Sequence, residues 1–305
     1  MEIKQIKQEW PVTPGKIAVV IMTFSGDVTC LRQCLRGLEV QKKLGYDLDI
    51  YIVDDAANPI NTSSDMKVDN ESHLLICDDH AYNYRKSYFN RNFNLNGTEC
   101  AMGILMEMIR CSRESGAQYT MKVDCDMYIR RLDRFMAPLK EDPDSVVGFQ
   151  LSKSMQGCAG VTYLLPSKGL YAALKGFHRW WDEIKDDPGF MKHCPEDWAI
   201  TCCTSYVNDF TLVQWDNYTD PSTWLLCPFN YADLTETGSV GALYYTKYSM
   251  YDFVNFGNRF EMREIDKLTK LIQKYDPRQI AGIVMERLID FDILNTYTSA
   301  PILEE

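Results

Sequence analysis

The chain has 305 residues and a mass of 35.3 kDa, and its 46% hydrophobic and 25% charged residues are typical of a folded globular protein. Asp and Glu number 43 against 32 Lys and Arg, a net charge of -11, so the field of the molecule repels phosphate backbones and excludes nucleic acid as the expected partner. No apolar run approaches the ~20 residues of a membrane span. The eleven cysteines are scattered and include no Cys-x-x-Cys pair, which predicts free thiols in the cytoplasm.

The first half of the chain alternates segments typical of strands with segments typical of helices. Strands are predicted at 16–24, 48–56, 73–79 and 118–129, where the sequence is continuously apolar or β-branched. Between them, 28–44 and 98–112 place apolar residues on one helical face. This alternation predicts an α/β fold in which a mostly parallel central sheet is flanked by helices.

The second half has a different composition. Strands are predicted at 145–152 and 159–166, and helices at 167–185 and from Pro195 onward. The stretch 208–260 is rich in Tyr, Trp, Asn and Asp and is left unassigned, whereas the chain from Glu261 has a helical pattern. The simplest description is one α/β domain with a helical C-terminal appendage.

Acidic residues follow three of the predicted strands. They are Asp54-Asp55, Asp78-Asp79 and the Asp-x-Asp pair of Asp124 and Asp126. In an open parallel sheet, ligands bind beyond the carboxyl ends of the strands. Clustered carboxylates repel one another unless a cation or a hydrogen-bonding ligand compensates, and hard divalent cations prefer oxygen ligands. The pattern therefore predicts a cation and phosphate site at this edge, although each acid alone is also typical of a turn or helix cap.

Four motifs in this order resemble those of the GT-A glycosyltransferases, most closely the family-2-like group. IAVVIMTFSGD is similar to the opening strand and nucleotide loop of that family, and IYIVDDAAN is similar to its second strand. A helix followed by Gly116, Tyr119 and a hydrophobic strand leads to the Asp-x-Asp pair, and Pro195-Glu196-Asp197-Trp198 resembles the downstream Glu-Asp motif. The resemblance covers about residues 16–205 and implies a GT-A, Rossmann-like fold.

The resemblance implies which residues bind a nucleotide-sugar donor. Asp55 or Asp54 would accept hydrogen bonds from the uracil or ribose, and Thr23 and Phe24 would line the base. Arg91 ends a basic segment interleaved with aromatic residues. That segment either grips the diphosphate or forms a solvated loop face.

The resemblance also implies the metal and the catalytic groups. Asp126 would bind Mn²⁺ or Mg²⁺ directly, and Asp124 would contact the ribose or a water on the metal. Asp197 would deprotonate the acceptor hydroxyl with inversion at the sugar, and Glu196 would hold acceptor or donor hydroxyls. Lys122, two residues before Asp124, is predicted to pair with it, to face a helix or to contact substrate.

The sequence departs from the family pattern in three places. The usual proline after the first strand is missing, and all four histidines precede the Glu-Asp motif. The metal would therefore have fewer protein ligands, or a late acid such as Asp216, Asp220 or Asp233 would replace the late histidine. The Gln-x-x-Arg-Trp motif of processive relatives is also missing, which argues against a polymer synthase.

The resulting prediction is a metal-dependent glycosyltransferase of the hexosyltransferase type. It would transfer one sugar, most simply from a UDP-sugar, to a glycan or lipid-linked saccharide in the cytoplasm or at the membrane periphery. A catalytic domain is predicted over 1–235, with a nucleotide-binding half at 16–130 and an acceptor half at 131–235. A helical extension is predicted over 236–305. The sequence leaves the oligomeric state open.

Two other functions remain as alternatives. One is a sugar-nucleotide nucleotidyltransferase, although Ser25-Gly26-Asp27 lacks the glycine-rich basic loop of such enzymes. The other is a relative of the GT-A fold that binds a glycan or nucleotide without turnover.

Overall fold

A computed structural model describes most of the first 215 residues and a short later strand. The described residues are 10–23, 28–60, 66–87, 97–125, 127–129, 132–152, 155–184, 200–201, 204, 210–215 and 224–226. The predicted extension over 236–305 lies outside them, so it and the predicted domain bounds stay predictions.

Four helices and eleven strands have defined bounds among the described residues, and residues 200, 201 and 204 are helical as well. The helices are α1 (Val28–Lys43), α2 (Gly97–Ser115), α3 (Leu132–Glu141) and α4 (Ser167–Ile184). The strands of the first half are β1 (Thr13–Thr23), β2 (Leu48–Asp55), β3 (Met66–Asp69), β4 (Leu74–Cys77), β5 (His80–Ser87) and β6 (Ala117–Asp124). The later strands are β7 (Met127–Ile129), β8 (Ser145–Ser152), β9 (Met155–Pro166), β10 (Thr211–Trp215) and β11 (Trp224–Leu226).

Nine of these strands form one mixed sheet in the order β10-β8-β9-β6-β1-β2-β5-β4-β3. Its centre, β6-β1-β2-β5, is parallel throughout, whereas the flanking pairs β6–β9, β8–β9, β4–β5 and β3–β4 are antiparallel. The predicted α/β class is therefore confirmed, with a parallel centre and antiparallel flanks.

The apolar runs explain why β1 occupies the middle of the sheet. Every residue from Ile17 to Met22 is completely buried, as expected for a strand covered on both faces. On one face, α2 and α4 pack against each other and against β6. Their apolar sides contribute Leu105, Met108 and Phe177 to a core that includes Tyr163 of β9.

The prediction for 73–79 was wrong in one respect that matters for function. The segment is a strand, but it runs antiparallel to β5 and ends in a two-residue hairpin turn at Asp78 and Asp79. Both turn residues have positive φ, 50° and 63°, as the hairpin turn that matches strand twist requires. Because β5 is parallel to β2, this turn lies at the edge of the sheet opposite to Asp55. Asp78 and Asp79 therefore do not belong to the predicted acidic edge.

The parallel partner of β2 is instead β5, within a segment that was predicted as part of a loop. Tyr82 and Tyr84 are buried on one face and alternate with more exposed neighbours. This two-residue period is the signal of a half-buried strand, and it was available in the sequence.

A second compact unit contains α1 after its first residue, together with β7 and β11. As the spacing predicted, Leu31, Leu35 and Leu38 of α1 are buried. Ile129 of β7 pairs with Trp224 of β11, and its carbonyl accepts a hydrogen bond from the Gln41 side chain. No helix within the described ranges is both long and apolar enough to cross a membrane.

Candidate functional site

The predicted acids of β2 and β6 lie at one edge of the parallel centre. The register places Thr23 beside Asp54 and Met22 beside Asp124, so β1 separates the two acid-ended strands. Neighbouring strands are about 4.8 Å apart, which puts Asp55 and Asp124 on strands about 10 Å apart. This is the edge at which parallel sheets bind ligands.

The sheet divides the predicted donor residues between its two faces. Met22, beside Asp124, and Val53, two residues before Asp55, both belong to the core formed with α2. Because side chains alternate along a strand, Asp55 and Asp124 share the α2 face, and Thr23 and Asp54 lie on the other face. The sequence did not show this separation.

The Asp54 carboxylate fixes the segment that follows β2 through hydrogen bonds within the protein. Its carboxylate accepts hydrogen bonds from the Ile60 backbone N–H, at 3.0 and 3.1 Å from its two oxygens, and from the Tyr84 hydroxyl at 2.6 Å. Burial raises the pKa of Asp54, and the bonds from Tyr84 and Ile60 oppose that rise. The predicted role of Asp54 in base or ribose recognition would compete with these internal bonds.

Asp55 shapes the turn after β2 and keeps acceptor capacity. One carboxylate oxygen accepts the Ala57 backbone N–H at 3.0 Å, and the other accepts the Asn58 side-chain N–H at 3.2 Å. A carboxylate has about four acceptor positions, so these two bonds leave room for a ligand hydroxyl or N–H group. Of the two adjacent acids, Asp55 is the better candidate for a ligand contact.

Tyr84→Phe is expected to lower the free energy of unfolding by about 1.5–3 kcal/mol at neutral pH, because it removes a hydrogen bond to a buried carboxylate. That bond opposes the effect of burial, so its loss pushes the pKa of Asp54 further up. When the pKa of Asp54 in the folded state lies above its unfolded value of 3.8, ionising this carboxyl group lowers the free energy of unfolding. The reduction is absent below the unfolded pKa and becomes complete as pH rises through the folded-state pKa. Urea denaturation should therefore show a larger loss at about pH 8 than at about pH 4.

Tyr82→Phe is the matched control for this variant. Tyr82 is also buried on β5, and its hydroxyl is not among the groups that shift the pKa of Asp54. A pH-independent loss in Tyr84→Phe, equal to that of the control, would contradict the coupling between Tyr84 and Asp54.

Thr23 offers an unused polar atom at the same edge. The residue is completely buried, and its hydroxyl has no hydrogen-bond partner. An unpaired buried hydroxyl costs free energy, typically about 1–3 kcal/mol. A ligand group that reached the end of β1 would recover that cost, and the place of Thr23 beside the base stays a prediction.

Lys122 and Asp124 form a buried ion pair at the end of β6. The Lys122 side chain is 1% exposed, and its ammonium group contacts Oδ1 of Asp124, whose side chain is 28% exposed. Of the alternatives that the sequence left open for Lys122, the structure shows the pairing with Asp124. The pair places a fixed positive charge against the first acid of the predicted metal motif.

The described residues fit a divalent cation in one respect. Asp124 is a partly exposed oxygen donor at the ligand-binding edge, as Mn²⁺ or Mg²⁺ prefers. Within the described ranges, no three His, Cys, Asp or Glu side chains come together as a ready-made ligand set. A cation here would thus need oxygens from a diphosphate and from Asp126, which lies outside the described residues.

The first arginine of the predicted basic segment is engaged with α2. Arg85 of β5 contacts Glu107 at 3.4 Å and Glu114 at 3.1 Å, and its Nη1 lies 3.6 Å from Sγ of Cys111. Burial raises the pKa of the Cys111 thiol to about 12, so it stays protonated at neutral pH. Arg85 thus ties β5 to the helix. A phosphate-binding role for the segment would then fall to Arg91, which is outside the described residues.

Glu107 is the partner that sequence reasoning missed. Besides Arg85, its carboxylate binds the Ser87 hydroxyl at 2.9 Å and Arg110 at 2.8 Å. The available signal was its position on α2, three residues after Ile104 and four before Cys111, both of which are buried. An acid on an apolar helix face requires a buried partner.

The chain that follows the predicted Glu-Asp motif is anchored near the acidic edge. Ile200 and Thr201 are helical and completely buried, and the Thr201 hydroxyl accepts a hydrogen bond from the Cys158 backbone N–H at 2.8 Å. Thr162 pairs with Val123 across antiparallel strands, so Cys158 lies beyond the carboxyl end of β6. Asp197 is only three residues before Ile200 in the sequence.

Several predicted site residues lie outside the described ranges. They are Phe24, Arg91, Asp126, Glu196 and Asp197. Their roles stay predictions, whereas Thr23, Asp54, Asp55 and Asp124 are placed as described above.

Comparison with known proteins finds similarity only at the level of structure. No protein-family model matches the chain, and no curated protein sequence matches it either. Among matching solved structures, a mannosyltransferase from Pyrobaculum calidifontis in complex with GDP-Man and Mn²⁺ is 11% identical, with 97% of this chain and 92% of that chain covered and a TM-score of 0.40. A glycosyltransferase involved in the glycosylation of the major capsid of PBCV-1 is 9% identical, with 77% of this chain and 99% of that chain covered and a TM-score of 0.40.

A third match is the galactosyltransferase LgtC in complex with donor and acceptor sugar analogues, at 12% identity, coverages of 64% and 72% and a TM-score of 0.39. These three matches are glycosyltransferases. Likenesses at this level do not carry a function over, so the function must be argued from the residues of this chain.

Proposed function

We propose that this protein is a divalent-cation-dependent glycosyltransferase that moves one sugar, a hexose, from a nucleotide-sugar to a hydroxyl of a glycan or lipid-linked saccharide. The observation that supports this most is the placement of Asp55 and Asp124 on one face of the sheet, at the carboxyl ends of strands about 10 Å apart. That separation suits a nucleoside diphosphate, with its nucleoside toward β2 and its diphosphate toward β6.

In this proposal the donor lies along the acidic edge. Asp55 accepts hydrogen bonds from the base or ribose with the acceptor capacity that its turn leaves unused. Asp124 and Asp126 hold the diphosphate end, and a bound divalent cation supplies charge neutralisation for the departing nucleoside diphosphate.

The acceptor half of the reaction is assigned to the Glu-Asp motif. Asp197 accepts the proton of the acceptor hydroxyl while the oxygen of that hydroxyl forms a bond to the anomeric carbon. The bond from that carbon to the phosphate oxygen breaks, and the nucleoside diphosphate leaves with the electron pair. Glu196 orients hydroxyl groups of acceptor or donor. The anchor at Thr201 supports a position of this motif near the acidic edge.

The proposal is tested by thermal unfolding with Mn²⁺ and UDP, GDP, CDP or dTDP. A ligand present at 100 times its Kd stabilises the native state by about 2.7 kcal/mol, so one nucleotide should raise the midpoint by several degrees when Mn²⁺ is present. The Asp126→Asn variant should lose most of this rise, because it lacks the predicted cation ligand.

Asp79→Asn is the matched control for that variant. It removes one negative charge at the opposite edge of the sheet, and asparagine tolerates the positive φ of this hairpin position. A nucleotide-dependent rise that persists in Asp126→Asn would contradict the assignment of the cation ligand. A wild-type protein that shows no rise with any of the four nucleotides would contradict the proposed donor class.

A further inference from the structure

Ser87, the last residue of β5, lies beside Asp55 at the proposed nucleoside end of the acidic edge. The register pairs the two residues directly, and the Ala56 backbone N–H continues the ladder by donating to the Ser87 carbonyl at 3.1 Å. Paired residues of parallel strands project to the same face, on strands about 4.8 Å apart. Ser87 is half-buried, and its side chain contacts α2, so it shares the α2 face with Asp55.

The Ser87 hydroxyl has a fixed hydrogen-bonding polarity. Its partner is Oε1 of Glu107, 2.9 Å away, and a carboxylate only accepts hydrogen bonds. Ser87 is therefore the donor in this bond. Because a hydroxyl has one hydrogen and two acceptor positions, the capacity that Ser87 retains for a ligand is that of an acceptor.

Two arginines hold the Glu107 carboxylate in place. Its side chain is 6% exposed, Nη1 of Arg110 lies 2.8 Å from Oε1, and Nε of Arg85 lies 3.4 Å from Oε2. An arginine has no acceptor atom and stays charged, so neither one competes with Glu107 for the Ser87 hydrogen. Breaking a buried ion pair by removing a partner is strongly unfavourable. The orientation of the Ser87 hydroxyl is thus imposed by the packing of α2 on β5.

This end of the edge consequently presents two acceptors side by side. Asp55 has acceptor positions beyond its bonds to Ala57 and Asn58, and Ser87 adds another on the neighbouring strand. A ligand satisfies both only if it carries two neighbouring N–H or O–H donors. In a nucleotide, two groups have this chemistry. They are the N1–H and N2–H groups of guanine, and the 2′- and 3′-hydroxyls of ribose.

We propose that Ser87 is a specificity-determining residue that, held as an acceptor by Glu107, selects a donor nucleoside with two neighbouring hydrogen-bond donors. Glu107 is a positioning residue, because it acts on the ligand only through Ser87. This inference rests on the proposed function and adds to it a rule for the nucleotide. An analogue that lacks one of the two donors leaves a polar group of the site unpaired, which costs affinity.

The inference is tested by calorimetric titration of nucleotides into the full-length protein with Mn²⁺ present. Whichever of UDP, GDP and CDP binds best is compared with its 2′-deoxy and 3′-deoxy forms, and GDP is also compared with IDP and 1-methyl-GDP. Loss of one donor should weaken binding to wild type by about ten-fold or more. Sensitivity to the deoxy forms assigns the two donors to ribose, and sensitivity to IDP and 1-methyl-GDP assigns them to guanine.

Ser87→Ala should bind the preferred nucleotide about three- to ten-fold more weakly than wild type, the usual cost of one neutral hydrogen bond. The analogue that lacks the donor facing Ser87 should bind to this variant and to wild type equally. A purely structural role of Ser87 would instead weaken every analogue by the same factor. Adding Glu107→Gln to Ser87→Ala should cause no further loss of affinity, because Glu107 acts through Ser87.

Ser72→Ala is the matched control. The Ser72 hydroxyl also donates to a carboxylate, that of Asp69, but it lies in the turn between β3 and β4. Its nucleotide affinity should stay near that of wild type. Ser87→Thr keeps the hydroxyl and should retain the wild-type preference among the analogues, and the comparison of analogues on wild type needs no variant at all.

The outcomes separate this inference from the proposed function. The selection rule is wrong, and the proposed function stands, if dTDP is the preferred nucleotide or if no analogue binds more weakly than its parent. The same holds if folded Ser87→Ala binds the preferred nucleotide as wild type does, or weakens all analogues alike. If none of the four nucleotides binds to wild type in the presence of Mn²⁺, both are overturned.

Discussion

Asp124→Ala is expected to lower the free energy of unfolding by about 3–5 kcal/mol, because it removes the carboxylate that forms an ion pair with the buried Lys122 ammonium group. The loss should appear in urea denaturation of the free protein, with no metal or nucleotide present. It concerns the fold of the chain and is independent of any role in binding. A destabilisation below about 1 kcal/mol would show that the pair does not hold the end of β6.

A double-mutant cycle identifies the cause of this loss. Lys122→Met alone should cost less than Asp124→Ala, because the remaining carboxylate is 28% exposed and stays partly hydrated. The double variant Lys122→Met/Asp124→Ala should recover most of the stability lost in Asp124→Ala, with a coupling energy of about 2–3 kcal/mol. Simple additivity of the two single variants would contradict a direct interaction.

The ion pair between Lys122 and Asp124 affects what alanine replacement of Asp124 measures. Alanine replacement of an Asp-x-Asp acid is normally taken as a test of metal binding. In this protein, Asp124→Ala combines the loss of a proposed ligand with the loss of an ion pair to the buried Lys122 ammonium group. The double variant lacks the same acid but keeps a neutral core, so it is the better test of the chemical role of Asp124.

Asp197→Asn is expected to reduce the transfer rate kcat by about 10²–10⁴-fold, the usual contribution of a general base. Asparagine keeps the size and polarity of the side chain but cannot accept the proton. Nucleotide-dependent thermal stabilisation should be unchanged, because the base acts on the acceptor. The measurement is single-sugar transfer with the nucleotide identified by thermal unfolding.

Glu196→Gln is the comparison for this variant. It changes the neighbouring acid, whose predicted role is to hold hydroxyl groups, so it should raise KM for the acceptor more than it lowers kcat. An Asp197→Asn protein that retains kcat within about ten-fold of wild type would show that another group takes the proton.

Local patterns in the sequence predicted the main elements because each of them buries a regular set of apolar side chains. The apolar run that ends β1, the helical spacing of α1 and α2, and the strand and helix from β9 to α4 are all present near the predicted positions. These elements needed no knowledge of their partners, because a period of 3.6 residues or a continuous apolar run is enough to identify them.

The direction of β4 could not be taken from its composition. Asp78-Asp79 follows an apolar strand in the same way as Asp54-Asp55, yet the two pairs lie at opposite edges of the sheet. A two-residue connection can join only antiparallel strands, because a parallel pair needs a crossover of a dozen or more residues. The short gap between β4 and β5 was the informative signal.

The sequence by itself determined which strands carry acids, and it predicted that the acids of β2 and β6 lie at the carboxyl edge of the parallel sheet. Only the tertiary structure decided what each acid does. The Asp54 carboxylate accepts hydrogen bonds from Ile60 and Tyr84, whereas the Asp55 carboxylate keeps acceptor positions for a ligand. Asp124 is neutralised by Lys122. The reason is physical. The bond between Tyr84 and Asp54 joins neighbouring strands and is set by their register and face. The burial of Lys122 beside Asp124 depends on what packs around β6, which no local pattern contains.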